Sequence, residues 1–458
     1  VRTPAFVAIG VAALSAIGCG RDVPSLESLA ASAAALALDV ERLEDENAIE
    51  NLQRIYGFYT DKQLWSEAAD LFADDGTIEV GRSGVYVGKE RVLAYLRSQG
   101  PEFPQVGRLF DQMQLQPIIH VAPDGLTANG RWHLFAQEAM HGAYAHWGAG
   151  VYENGYVKDD GVWKIQSLHL FTTMYTTYED GWEKTALPEP GPVADLPADR
   201  PPSIEYEAYP AVFIAPFHYA NPVMSPATSV DGSADAQAAA ANLAELRATL
   251  TSLEQRIGLL EDVEQLERLQ SVYGYYLAHN EWDNFAGLFA PEGTIEIAMR
   301  GVYVGPSSVR RSMDLYGAAG SKHGLLHNHM QYQPVIHVAE DGRSAKMRSR
   351  AFSIMGEFER GDGRWMGGVY ENEYVKQDGV WMLAEDRQFN TYFALYPVGW
   401  KDLVPRAPPQ VSTTNPPDRP PTSPFEMYPR AFLPPYHYAN PVTGHTVTLP
   451  ELAIGDPQ

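Results

Sequence analysis

Gly150-Val-Tyr-Glu-Asn-Gly-Tyr-Val-Lys158 and Gly368-Val-Tyr-Glu-Asn-Glu-Tyr-Val-Lys376 are the same strand written twice in one chain. The doubling extends both ways. Upstream, Gly84-Val-Tyr-Val-Gly88 returns as Gly301-Val-Tyr-Val-Gly305; downstream, His218-Tyr-Ala-Asn-Pro-Val223 returns as His437-Tyr-Ala-Asn-Pro-Val442. The interval of about 217 residues is far beyond the ~20–50 residues of a solenoid unit, so the chain holds two homologous globular domains. Each copy is an internal control on the other.

Around that strand the two repeats read alike. Leu26, Leu29, Ala33, Leu36, Val40 and Leu43 are spaced 3-4-3-4-3, and Leu243, Leu246, Leu250, Leu253, Ile257 and Leu260 repeat the spacing, an a/d seam. Two readings stand: the helices pair with each other, or each packs on its own domain. A further helix carries Ile49, Leu52, Tyr56 and Tyr59, matched by Leu266, Leu269, Tyr273 and Tyr276; Trp65 and Trp282 follow. Then come a strand at 76–80 or 293–297, a short helix after Gly88 or Gly305, and three or more strands with turn signals at Asp160-Gly161 and Asp378-Gly379. Helices first and a meander of strands after predict an α+β fold. Each repeat ends in a Pro-rich, aromatic tail, expected to wrap its domain in extended form and bury its rings. The domain reading is a first domain over 26–185, its tail over 186–223, a linker over 224–242, a second domain over 243–400, its tail over 401–443, and a terminal segment over 444–458.

Apolar content of 45% and nine Trp in 458 residues suffice for real cores. A formal charge of −24 argues against nucleic acid and anionic membrane surfaces, which call for Lys and Arg. The single cysteine, Cys19, closes Ala16-Ile-Gly-Cys19 after Arg2 and an apolar run from Ala5 to Ile17. Residues 1–18 thus read as a secretory signal, too short for a membrane span. Its last four residues resemble a bacterial lipobox, which makes Cys19 the lipidation site and the lipid the only membrane contact; a plain signal peptide is the alternative. The expected location is the bacterial cell envelope.

The runs "YGFYTDKQLWSEAADLFADDGTIEV", "GVYVGKERV" and "GVYENGYVKDDGVWKI", with their second copies, resemble the SnoaL-like branch of the nuclear transport factor 2-like superfamily. The resemblance covers about 140 residues per repeat, leaving out signal, linker and tails, and speaks for fold more than function. It implies a strongly curved antiparallel sheet wrapped around helices, a cone with an apolar pocket. It also implies pairing through the sheet, hence an intramolecular pseudo-dimer. Relatives such as scytalone dehydratase and ketosteroid isomerase use a carboxylate, His or Tyr inside the cone for proton transfer beside a carbonyl.

The dehydratase-like pattern implies an Asp four residues before the Trp. That is Asp61 in the first repeat, but Ala278 in the second. It implies a His on a central strand: His329 in the second repeat, but Gln112 in the first. Neither domain holds the full Asp and His pair, which leaves enzyme status open. A third position falls on Tyr152 and Tyr370, whose hydroxyls suit either an oxyanion donor or a satisfied core Tyr. The expected pocket lining is Tyr56, Tyr59, Trp65, Gln112 and Tyr152 in one cone, and Tyr273, Tyr276, Trp282 and Tyr370 in the other. His120 and His337 share strand parity with Gln114, Gln116, Gln331 and Gln333, a stripe facing either pocket or interface. His323, His327 and His329 lack a carboxylate or Cys in ligand spacing, so no metal is expected. No phosphate loop or nucleophile elbow appears, and no cofactor is implied.

Three functions remain. The chain binds a small apolar or aromatic molecule in at least one cone; or it is a cyclase, dehydratase or isomerase acting through Asp61; or it is a structural envelope protein.

Overall fold

The computed structural model describes residues 25–224, 242–405, 410–422 and 426–447. The signal segment with Cys19, nearly all of the linker and the last residues of the terminal segment lie outside them. The chain divides into two units, residues 1–41 with 228–257, and residues 42–227 with 258–458.

The first repeat runs α1 (Leu26–Asp61), α2 (Trp65–Asp70), β1 (Phe72–Val80), β2 (Tyr86–Val87), α3 (Lys89–Ser98), β3 (Arg108–Val121), β4 (Thr127–Met140), β5 (Tyr144–Asp159), β6 (Val162–Thr177) and α4 (Gly181–Lys184). The second runs α5 (Leu243–Ala278), α6 (Trp282–Ala286), β7 (Phe289–Ile297), β8 (Val302–Val304), α7 (Gly305–Met313), β9 (Leu325–Val338), β10 (Ser344–Glu357), β11 (Asp362–Gln377) and β12 (Val380–Leu395). The sheets have the orders β2-β1-β6-β5-β4-β3 and β8-β7-β12-β11-β10-β9. β1 with β6, and β7 with β12, run parallel; every other pair is antiparallel. This is the expected α+β architecture, twice.

The sequence predicts two successive helices at the head of each repeat, whereas each is one helix of 36 residues. No Gly or Pro interrupts Leu26 to Tyr56, and only Gly258 falls in the matching stretch, so nothing breaks the hydrogen-bond ladder. The starts of both helices form the small unit, where Ala30, Ala33, Leu246 and Leu253 are buried. No helix among the described residues is long and apolar enough to cross a membrane.

In the large unit each helix lies in the concavity of its sheet. Ile49, Leu52, Tyr56 and Tyr59 pack with Trp132, Tyr152 and Ile165 in the first repeat; Leu266 and Tyr273 pack with Met347, Tyr370 and Leu383 in the second. A bulge interrupts the register of β3 between Leu115 and Ile118, with Gln116 at φ 52°; Gln333 takes φ 54° at the matching place in β9. The bulge flips the side-chain alternation. Gln114 therefore points inward to Gln53 (2.9 Å), while His120 points outward to His218 (2.9 Å) of the tail. The His/Gln stripe read from strand parity is split: Gln114 and Gln331 turn in to the helix of their own repeat, Gln116 is exposed, Gln333 reaches the other repeat, and the His meets the tail.

The repeats touch through a one-sided contact. The outer face of β9 and β10 lies across the C-terminal half of α1. Gln333 Nε2 donates to Arg54 O (3.0 Å), Arg54 Nη1 donates to Pro334 O (2.8 Å) and Asn51 Nδ2 to Ile336 O (3.1 Å). Gly57 makes this approach possible, because a Cβ there would lie 2.6 Å from Gln114 Cγ and 2.8 Å from Gln333 Nε2. Val335, Val369, Phe389, Leu433 and Tyr438 of the second repeat join the first repeat's core. No residue of the first joins the second's core cluster. The tails also differ from expectation. The first buries Tyr206 against Phe171 of its own domain but leaves Phe217 exposed, whereas the second buries Tyr428 and Tyr438, the latter in the core of the first repeat.

Candidate functional site

The second cone holds a buried string of polar groups on four strands and the central helix. His329 on β9 has its Nε2 3.0 Å from the Tyr370 hydroxyl on β11 and its Nδ1 2.7 Å from Ser353 Oγ on β10. The Tyr370 hydroxyl is 3.5 Å from that of Tyr273 on α5, which donates to Oδ2 of Asp386 on β12 at 2.8 Å. Asp386, Tyr273, Tyr370 and Ser353 are all fully buried. The more exposed His327 lies two residues along the same strand face, its ring 5.8 Å from that of His329.

Burial disfavours charge on every member. It pushes Asp386 up to about 7, against the hydrogen bond from Tyr273. It pushes His329 down to about 3, with His327 adding to the effect, so this imidazole is neutral at physiological pH. Both tyrosines are raised well above their usual value by burial. Asp386 is therefore the one group in the string able to gain and lose a proton near neutrality, with two hydroxyls and an imidazole linked to it. Among the described residues no three His, Cys, Asp or Glu side chains gather as a metal site.

Where the second cone has His329, Ser353 and Asp386, the first has Gln112, Ala136 and Leu168. Tyr273 and Tyr370 are matched by Tyr56 and Tyr152, both buried. The three polar replacements, far apart in sequence, converge in one place.

The pattern's own pair, a helix-end Asp with His329, stays incomplete in the second repeat at Ala278, yet an Asp and a His do share its cone. The second cone contains both, because the carboxylate comes from the last strand instead of the end of the helix. The signal was present: Gln166-Ser-Leu-His169 is matched by Ala384-Glu-Asp-Arg387, with an Asp at an inward position of a strand.

Asp61 occupies a different setting from the one expected. It is buried, its Oδ1 accepts the Gln112 backbone N–H at 2.6 Å, and its Oδ2 is ion-paired with Arg350 of the second repeat. Arg350 also pairs with Asp111 and donates to Gln333 Oε1 (3.2 Å). Burial raises the Asp61 pKa against the pull of Arg350. Both its oxygens are engaged, Oδ1 by β3 of its own repeat and Oδ2 by Arg350 of the second. Gln112 donates through Nε2 to Glu138 (3.3 Å), which also accepts the Tyr175 hydroxyl (2.7 Å); that hydroxyl is 2.9 Å from His146 Nδ1. The second repeat does not repeat this cluster: it carries Met355, Phe393 and Arg364 where the first has Glu138, Tyr175 and His146.

Of the expected pocket lining, Tyr152, Tyr56, Tyr273 and Tyr370 do lie inside the cones. Trp65 and Trp282 instead serve as wall: each indole N–H donates to a loop carbonyl, Gly100 O at 2.9 Å and Gly317 O at 3.0 Å. Tyr59 packs on Tyr436 and Tyr438 of the second tail, and Tyr276 is half-buried at the edge of its core.

The SnoaL-like domain pattern matches residues 41–169 and again 259–387. The chain belongs to the SnoaL-like family. The two matches coincide with the two cones, so this SnoaL-like chain is a tandem duplication. Similar solved structures include a candidate scytalone dehydratase from Novosphingobium aromaticivorans, at 22% identity over 33% of this chain and 97% of that one, TM-score 0.27. Others are the LinA-type3 hexachlorocyclohexane dehydrochlorinase of Novosphingobium barchaimii (16% identity, 31% of this chain and 92% of that one, TM-score 0.26) and ActVI-ORFA of Streptomyces coelicolor (11%, 28% and 96%, TM-score 0.25). These likenesses concern fold and assign no reaction to the SnoaL-like repeats. A search of curated proteins gave no match.

Proposed function

We propose that the second cone binds a small apolar or aromatic molecule and transfers a proton on it, chemistry of the lyase or isomerase kind, while the first repeat serves mainly as its scaffold. The observation that carries this reading is the convergence of His329, Ser353 and Asp386 on the string from His329 to Asp386, where the first repeat has Gln112, Ala136 and Leu168. Asp386, held near 7, is the general acid–base, since a catalytic group works best with its pKa close to the working pH. Tyr273 and Tyr370 supply hydroxyl donors to an oxyanion, and neutral His329 with Ser353 fixes Tyr370.

The test is a thermal-shift screen of small carbonyl and phenolic compounds, followed by hydrogen–deuterium exchange into the hits read by mass spectrometry. Exchange that falls by ~10²–10⁴ in Asp386→Asn supports the reading. Hits that bind equally to both proteins without exchange would make the chain a binding module.

Two further elements belong to this proposal. The lipobox-like Ala16–Cys19 supports export with lipidation at Cys19; mass spectrometry of the N-terminal peptide from the cell envelope checks it. The contact built on Asp61, Arg350 and Asp111 supports an intramolecular pair of repeats in solution. A small-angle scattering profile of two separated lobes would rule that out.

A further inference from the structure

The contact between the repeats has a donor surface and an acceptor surface. The donor is the outer sheet face of the second repeat with its tail. Arg348 donates to Pro435 O (2.9 Å) and lies 4.0 Å from the Tyr436 ring; His437 bridges His337 (3.0 Å) and Glu371 (2.8 Å). The acceptor is the end of α1 with the α2 that follows it in the first repeat. The Tyr436 hydroxyl donates to Phe58 O at 3.0 Å, and Asn440 Nδ2 donates to Glu67 O at 3.0 Å.

The first repeat carries the same donor surface, built the same way. Arg131 donates to Pro216 O (2.8 Å) and lies 4.0 Å from the Phe217 ring; His218 bridges His120 (2.9 Å) and Glu153 (2.8 Å). Yet Ile214 is 71% exposed, where its counterpart Leu433 is 2% exposed. Val212 and Phe217 beside it are 93% and 56% exposed. The second repeat carries the matching acceptor, equally uncovered: Tyr275 is 69% exposed, whereas its counterpart Phe58 is 1% exposed.

A head-to-tail contact that leaves one donor and one acceptor uncovered continues into a ring or an open array. We propose that the tail surface of the first repeat, centred on Ile214 and Phe217, docks on the C-terminal half of α5, at Tyr275, of a second copy of this chain. This rests on the reading of the two repeats as one intramolecular pair, whose contact it repeats. Ala278 and His133 stand where that contact has Asp61 and Arg350. The docking therefore depends on aliphatic and aromatic burial and persists at high salt, which screens exposed charges.

Sedimentation velocity of the full chain over a dilution series, at low and high salt, is the test. The expected result is a species of two or more chains at both salt levels, with association weakened ~tenfold or more by Ile214→Asp and, separately, by Tyr275→Asp. Both residues are exposed in the single chain, so unchanged thermal melts confirm that the variants fold. A monomer at every concentration, or association indifferent to both substitutions, overturns the docking. Scattering from that monomer separates the two readings: one compact particle leaves the intramolecular pair standing, and two separated lobes remove the pair and the docking together.

Discussion

Asp386→Asn removes the titrating proton from the second cone while keeping an oxygen to accept from Tyr273. The carboxyl is fully buried and ionises at about 7 in the folded chain, against a reference value of 3.8. Between these values the unfolded chain has given up a proton that the folded chain still holds, so stability falls as pH rises through the window. At pH 8 both states are ionised and the full shift, about 3 pK units, costs about 4 kcal/mol at 1.36 kcal/mol per unit. At pH 5 the unfolded carboxyl is already largely ionised, and the cost is just under about 2 kcal/mol. The stability of Asp386→Asn relative to the parent should therefore rise by about 3 kcal/mol from pH 5 to pH 8. Any pH-independent loss from the altered hydrogen bonds cancels in that difference. Urea denaturation at a series of pH values reads it. Parallel pH profiles for the two proteins would refute the reasoning, because they would show that Asp386 ionises alike in both states.

Tyr273→Phe takes away a hydrogen bond that favours ionised Asp386, so the Asp386 titration should move further upward, followed by the infrared band of the protonated carboxyl. Arg350→Met leaves Asp61 and Asp111 buried without their cation and should cost about 3–5 kcal/mol in urea denaturation at neutral pH; a cost under about 1 kcal/mol would show that the pair does not hold the repeats together. Gly57→Ala drives a methyl into Gln114 and Gln333, and should destabilise by about 1–3 kcal/mol, whereas Gly258→Ala, a helix-interior change where a Cβ meets nothing within 4 Å, should stabilise by up to about 1 kcal/mol.

The repeats were legible because backbone-building positions are local and doubled: the Gly-Val-Tyr-Glu-Asn strand, the Trp wedge and the apolar helix face each carry their own periodicity. The length of α1 was legible in principle from the absence of Gly and Pro, and was hidden by the change of apolar pattern near Leu43. The stripe of His120 and Gln114 misled because period-2 alternation assumes an unbroken ladder, and the positive φ of Gln116 is invisible in a Gln. Asp386 was within reach by repeat comparison, but its meaning was not. An Asp opposite a Leu becomes a site only when Tyr273, Tyr370 and His329, up to 113 residues away, are known to line up with it.

By itself the sequence determined the duplication, the α+β class and which side chains differ between the copies, since these follow from spacing along the chain, while the cone came from the resemblance to the SnoaL-like branch. Only the tertiary structure decided what the differences do. It turned Asp61 into half of a buried ion pair with Arg350, placed Asp386 at the end of a string of hydroxyls leading to His329, and covered Leu433 of one tail while leaving Ile214 of the other exposed. Ionisation and packing depend on which groups share a low-dielectric neighbourhood, and that is set by strands folding back from distant parts of the chain.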